Sequence, residues 1–209
     1  DLLDILRESR QNIKSFHEKG LPQSRLHWED DGVLLGQRIM PIERVGVYVP
    51  GGLAAYPSSL LMGVVPAQVA GVQEIVVITP CDANGQTNPT ILAAAYELGI
   101  TKVFRVGGAH GVAALAYGTE TVPRVDKIVG PGNIYVATAK KLLYGQCGID
   151  MVAGPSEVLI IADGSVEPRL TALDLLAQAE DPFHGSAPHP SSGNRTEQGV
   201  EDAQRTHAL

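Results

Sequence analysis

Five short β-branched runs recur along the chain, 45-VGVYV-49, 74-EIVVIT-79, 102-KVFRV-106, 126-DKIV-129 and 157-EVLIIAD-163, with a helix-like segment in each gap. No other feature restricts the fold as much. Runs that are apolar at nearly every residue are buried on both faces, and strands separated by helices pair in parallel rather than as hairpins. The intervening segments are 58-SSLLMGVVPAQVAG-71, 88-NPTILAAAYELG-99, 109-AHGVAALAYG-118 and 133-NIYVATAKKLLYG-145. Their borders agree: Ser58 and Asn88 are residue types that cap helix N-termini, and Gly71, Gly99 and Gly145 stand just past helix C-termini. The expected fold class is α/β, a doubly wound, mostly parallel sheet over about residues 45–160 with helices on both faces.

Upstream of this rhythm, Leu2, Leu3, Ile5, Leu6, Ile13 and Phe16 fall close to one face of a helix over residues 1–18. Residues 25–42 read as strand, turn, strand around Asp30-Asp31-Gly32, a hairpin. The net charge of −7 disfavours nucleic acid and anionic membrane as partners and favours a small-molecule ligand. Cys81 and Cys147 form neither a disulfide framework nor a thiolate zinc site, which fits a reducing cytoplasm. The first residues, DLLDILRESRQ, lack the apolar core of a signal peptide. The most apolar tract, 60-LLMGVVPAQVAGV-72, is broken by Pro66 and Gln68 and is too short to span a bilayer.

In a doubly wound sheet, ligands bind beyond the carboxyl ends of the strands, on loops that feed helix N-termini. Three such ends are rich in glycine: 50-PGG-52, 107-GGAHG-111 and 130-GPGN-133. Glycine lets backbone approach a ligand closely, and helix N-terminal amides favour anions such as a pyrophosphate. None of the three is a G-x-G-x-x-G fingerprint or a P-loop, so each alone reads as readily as a turn.

Four stretches taken together, VGVYVPGG (45–52), RVGGAHGVAALAYGTETVPRVDKIVGPGN (105–133), GIDMVAGPSEVLIIAD (148–163) and DLLAQAE (174–180), resemble the histidinol dehydrogenase family over about residues 1–180. That resemblance implies a zinc enzyme of the cytoplasm that oxidises L-histidinol to L-histidine in two NAD-dependent steps through the aldehyde, the last step of histidine biosynthesis. It implies a homodimer built around incomplete Rossmann-like domains. The corresponding division here is 1–44 as part of an incomplete first domain, 45–156 as the NAD-binding domain and 157–181 as a strand and helix returning to the first domain.

Carried over position by position, the resemblance makes Tyr48 and Asn133 NAD contacts, Ser156 a substrate contact and Gln178 a ligand of both zinc and substrate. By residue type alone, Tyr48 reads as a buried strand residue and Ser156 as a turn or cap. At a third NAD position the family commonly has Gln, in G-G-A-Q, where this chain has His110. Histidine keeps one hydrogen-bonding group there and loses the amide's paired donor and acceptor.

Removing hydride from a carbinol carbon requires a base for the hydroxyl proton, and the second oxidation requires an activated water. The resemblance assigns that work to a glutamate–histidine pair downstream of the Gln178 helix, which these 209 residues do not contain. It assigns zinc to the matched Gln, a His three residues later, and an Asp and a His much further on. Here the third residue after Gln178 is Asp181, so the family's A-E-H-D-P reads A-E-D-P. Asp181 offers a substitute carboxylate. His184, six residues on and past Pro182, faces another direction and is not expected to be a ligand.

Residues 182–209 carry no apolar period and many Gly, Ser, Pro and charged residues, which reads as a disordered tail. The expectation is weak NAD binding, no tight zinc and no histidinol oxidation by this chain alone. Two alternatives stand beside it: a non-catalytic nucleotide-binding or subunit-interaction module derived from the enzyme, or a family member acting on another small amino or sulfonated alcohol.

Overall fold

Strand and helix alternate as the sequence rhythm requires in a computed structural model that describes residues 2–29, 31–51, 55–152, 159–161 and 163–179, the side chains of 177–179 excepted. Helix α1 (Leu2–Lys19) leads into a hairpin of β1 (Arg25–Trp28) and β2 (Leu34–Gln37). There follow β3 (Arg44–Tyr48), α2 (Pro57–Val69), β4 (Glu74–Ile78), α3 (Pro89–Glu97), β5 (Val103–Phe104), α4 (Gly108–Tyr117), β6 (Lys127–Val129), α5 (Ile134–Leu143) and β7 (Gly148–Ile149). These elements belong to one compact unit, residues 1–153; helix α6 (Pro168–Ala179) belongs to a second, residues 154–209.

The five strands β3 to β7 form one sheet in the order β5-β4-β3-β6-β7, with every neighbouring pair parallel. The chain starts at the centre, winds outward through β4 to β5, then returns to place β6 and β7 on the other side of β3. Its direction of winding therefore reverses between β3 and β6. That reversal opens a crevice at the strands' carboxyl ends, because the helices on either side of it lead away in opposite directions.

Alternate residues of the strands fill two cores. Val45, Val47, Val49 and Val77 point to one face and pack with Leu60, Leu61, Val64 and Val65 of α2 and Ile91 and Ala94 of α3. Tyr48, Val76, Ile78 and Ile128 point to the other and pack with Val112 and Leu115 of α4 and Val136 and Leu143 of α5. Burying each large aliphatic side chain contributes about 1.5–3 kcal/mol, so both helical layers are held mainly by this burial. Close approach depends on absent side chains: a Cβ at Gly46 of β3 would stand 2.7 Å from Leu115 Cδ1, and one at Gly63 of α2 would stand 2.5 Å from Val47 Cγ1.

Helix α1 joins the first core through Leu6, with Leu3 and Ile13 packed against it. Arg7 also forks onto Glu97 at the end of α3, Nε to Oε2 at 2.8 Å and Nη2 to Oε1 at 2.9 Å. The hydrogen bonds and charge of Arg7 hold the Glu97 carboxyl below its ordinary range.

Several helix borders match expectation. Asn88 caps α3 by accepting from the Thr90 N–H at 2.9 Å, and Gly71, Gly99 and Gly145 follow α2, α3 and α5 with φ of 82°, 70° and 100°. Ser58 does not cap α2. The helix begins one residue earlier on Pro57, whose fixed φ suits a first helical turn, so the N-cap is Tyr56. The sheet also ends differently from the expected pattern. Its fifth strand is the two-residue β7, and within the run 157–163 the described residues 159–161 and 163 lie in no strand.

Candidate functional site

The glycine-rich turns gather at the carboxyl edge of the sheet, around the reversal point. Gly51, after β3, and Gly107, before α4, both abut the end of β4: a Cβ on Gly51 would meet the Pro80 carbonyl oxygen at 3.2 Å, and one on Gly107 would meet Pro80 Cγ at 2.6 Å. Tyr48, the last residue of β3, links the other two turns. Its hydroxyl accepts a hydrogen bond from the Gly108 N–H at 3.1 Å. Its carbonyl oxygen lies against Gly130, where an added Cβ would overlap it. With a relative exposure of 3%, Tyr48 is a buried strand residue whose polar tip reaches the start of α4.

Two of the helices that begin at this edge, α4 and α5, have N-termini that differ. Helix α5 is closed by its own N-cap: Asn133 Oδ1 accepts from the Tyr135 N–H at 3.1 Å and the Val136 N–H at 3.2 Å. Helix α4 follows Gly107, which supplies no side-chain cap. Tyr48 takes the Gly108 N–H, while the N–H groups of Ala109 and His110 have no partner among the described residues. Those open amides carry the positive end of the helix, so an anionic group is favoured there. His110 sits in this first turn and is exposed. Asn133 is also exposed, and its Nδ2 remains a donor without a partner among the described residues.

The turn 130-GPGN-133 is held by a pair of charges that the sequence reading does not single out. Gly130 has φ of 116°, a conformation disfavoured for residues with a Cβ. Its N–H donates to Asp150 Oδ2 at 2.8 Å, and its carbonyl accepts from Lys140 Nζ at 3.0 Å. Lys140 Nζ and Asp150 Oδ1 form an ion pair, and Oδ1 also accepts the Met151 N–H at 2.7 Å. Lys140 is almost fully buried at 3% exposure. A lysine in a helix sequence reads as solvated, and nothing in its spacing signals that this one reaches back over the turn.

An open cleft of about 1010 Å³ runs beside α2 and reaches Gly130, Lys140 and Asp150. Tyr48, His110 and Asn133 are not among its walls, and much of its lining, including Met40, Ile42, Met62 and Met151, is apolar. Such walls suit apolar packing better than a phosphate, so the polar edge formed by the three turns is the better candidate.

Of the other sequence-derived site residues, Gln178 lies in α6, in the second unit, and its side chain is outside the described residues. Ser156, Asp181 and the expected tail 182–209 lie outside the described residues altogether. Among the described residues, no group of three or more His, Cys, Asp or Glu side chains is placed to hold a metal ion. None of their helices is long and apolar enough to cross a membrane.

A family model described as histidinol dehydrogenase matches residues 1–191, beyond the last quoted motif at Glu180. The chain is 62% identical over 175 residues to the histidinol dehydrogenase of Methylococcus capsulatus, covering 84% of this chain and 40% of that protein. It is 57% identical over 180 residues to the Lactococcus lactis histidinol dehydrogenase, covering 86% and 42% respectively. The crystal structure of histidinol dehydrogenase from Elizabethkingia anophelis matches with a TM-score of 0.80 and 42% identity, over 86% of this chain and 42% of that one. The chain thus spans about 40% of the length of the curated relatives it matches.

Proposed function

The chain belongs to the histidinol dehydrogenase family, and from that premise we propose that its carboxyl-edge turns bind the NAD used to oxidise L-histidinol to L-histidine through the aldehyde. The observation that carries this reading is the start of α4, with amides that have no partner among the described residues, joined through Tyr48 to the turn that holds Asn133. The chain's own groups fit a dinucleotide there. The Ala109 and His110 amides take the pyrophosphate charge, and the free Nδ2 of Asn133 donates a further hydrogen bond while its Oδ1 keeps α5 capped. Tyr48 supports the start of α4 through Gly108, and His110 offers one ring nitrogen at the rim. The bound NAD supplies the hydride acceptor.

Zinc is a different matter. One neutral amide ligand, Gln178, does not make a zinc site, and the described residues bring no group of three charged or imidazole donors together. Ser156 and Gln178 are proposed as substrate contacts, Asp181 as a substitute carboxylate three residues after Gln178 in the sequence, and the acid–base pair as lying in the part of the relatives' length that this chain does not span. Two copies are proposed to associate as a homodimer.

Calorimetric titration of the 209-residue chain with NAD tests this reading, with ligand-observed NMR as a second probe. Weak binding is expected, with a Kd on the order of 1 mM, about −4 kcal/mol. Added L-histidinol and NAD are expected to give no NADH from this chain alone. Absence of saturation transfer to either the adenine or the nicotinamide protons at millimolar NAD sinks the proposal. A second reading keeps the chemistry and changes the substrate to another small amino or sulfonated alcohol; it rests on His110, exposed in the first turn of α4. Activity profiling of a longer relative carrying G-G-A-H separates the two.

A further inference from the structure

We propose that Lys140 and Asp150 act together as positioning residues that set the backbone of the turn 130–133 for the nucleotide, an inference that rests on the NAD reading above. The geometry is a closed ring around one residue. Asp150 accepts the Gly130 N–H, Lys140 donates to the Gly130 carbonyl, and the two charges meet each other. Both peptide groups flanking Gly130 are thereby held, and neither can rotate without losing a hydrogen bond to a charged group.

The three members come from three separate pieces of chain. Gly130 follows β6, Lys140 lies in the second half of α5, and Asp150 follows β7. The ring therefore ties the turn to the helix it feeds and to the strand beside it. Asn133 lies three residues along, so the direction in which it presents Nδ2 follows from how Gly130 is held.

The pair is half-buried, with Lys140 almost enclosed and the Asp150 side chain 30% exposed. It is a weak source of stability, because desolvating the ammonium offsets much of the attraction. Removing Asp150 is more damaging than removing both, since the Lys140 charge is then buried alone. Fixing a unique backbone geometry is a use to which such pairs are put. Lys140 at 3% exposure, spent on a carbonyl and a carboxylate, fits that use. Gly130 takes its φ of 116° without strain but populates other conformations as readily, so the brace selects one among them.

The test compares wild type, Lys140→Met, Asp150→Asn and the double variant in the 209-residue chain. Three measurements are made: thermal unfolding, amide hydrogen exchange of residues 130–136 without nucleotide, and NAD affinity of the folded protein. Asp150→Asn, which leaves the Lys140 charge buried alone, is expected to unfold at a clearly lower temperature, and the double variant to regain most of that loss. Lys140→Met, which leaves Asp150 at the surface, is expected to lose less. Exchange in the turn is expected to stay about tenfold faster in the double variant, and NAD affinity about tenfold weaker, as when only one molecule in ten holds a binding-competent turn.

Wild-type exchange in the double variant overturns the brace. Faster exchange with unchanged NAD affinity overturns the positioning role and leaves the pair merely structural. If wild type itself binds no NAD, the proposed function fails, and the affinity half of this proposal fails with it; the exchange result still decides whether the ring holds the turn. Should the double variant not fold, Lys140→Met, which removes the donor to the Gly130 carbonyl and leaves Asp150 exposed, carries the same two readouts.

Discussion

The two edges of the central sheet are built on opposite principles. At the amino edge, Arg44, Glu74 and Lys102 form a ladder across the starts of β3, β4 and β5, with Glu74 joined to Arg44 Nε at 2.9 Å and to Lys102 Nζ at 2.6 Å. Asp126 extends it, accepting the Arg44 N–H at 2.8 Å and donating its own N–H to the Arg44 carbonyl at 3.1 Å. At the carboxyl edge there are glycine turns, a buried brace beneath one of them, and unpartnered amides at the start of α4. One edge closes its polar groups on each other, and the other holds some open. An edge satisfied from within offers a ligand little. Open amides on a rigid support are what an anionic cofactor needs.

The sharpest way to break this contrast is Gly130→Ala. Its Cβ would overlap the Tyr48 carbonyl oxygen, in a conformation strained for any residue with a Cβ, so a loss of about 3 kcal/mol in urea unfolding is expected. Stability within error of wild type would show that the turn is not pressed onto β3. Asn133→Ala removes the cap of α5 and should cost about 1 kcal/mol, together with a measurable loss of NAD affinity. Unchanged affinity would reduce Asn133 to a cap alone.

Tyr48→Phe tests the link between turns. It removes only the acceptor of the Gly108 N–H, and about 1 kcal/mol or less is expected, because the freed amide sits near solvent at the sheet edge.

The smallest effect belongs to the amino edge. Glu74→Gln should destabilise by less than about 1 kcal/mol, as befits partly exposed pairs, and leave NAD affinity unchanged. Its pH dependence has a defined sign. Hydrogen bonds from Lys102 and Arg44 hold the Glu74 carboxyl below its ordinary value of 4.5. The contribution is therefore present above that value and is lost as pH falls through the lowered one. Wild type and variant should differ at neutral pH and converge in acid, and a gap that persists there would contradict the charge ladder.

Much of the architecture was legible because it depends on burial. The runs at 45, 74, 102 and 126 are strands because helices cover both faces, and apolar composition reports that directly. β7 was not legible: a two-residue strand, Gly148–Ile149, has no period, and it exists only because β6 offers an edge to pair with. The α2 border was misread because Ser58 is a good cap by type while Pro57 fixes the start one residue earlier.

At the candidate site, Tyr48, His110 and Asn133 are proposed as cofactor contacts through the family motifs that contain them. Their roles in holding the fold, a hydroxyl on Gly108 and a cap on α5, were not legible in those motifs. Lys140 and Asp150 escaped notice for the same reason. Burial of a lysine is decided by what folds over it, ten positions away in sequence, and no local pattern records that.

The strand order also sets a timetable. β3, β4 and β5 are joined by short excursions and can assemble while the rest of the chain is still being made. The seam between β3 and β6 cannot, because it brings together Arg44 and Asp126, 82 residues apart. Closing so long a loop comes late and gains nothing until it is complete. The candidate site straddles that seam, so it takes shape only when the seam closes. A nucleotide that recognises it would therefore bind finished molecules in preference to half-made ones.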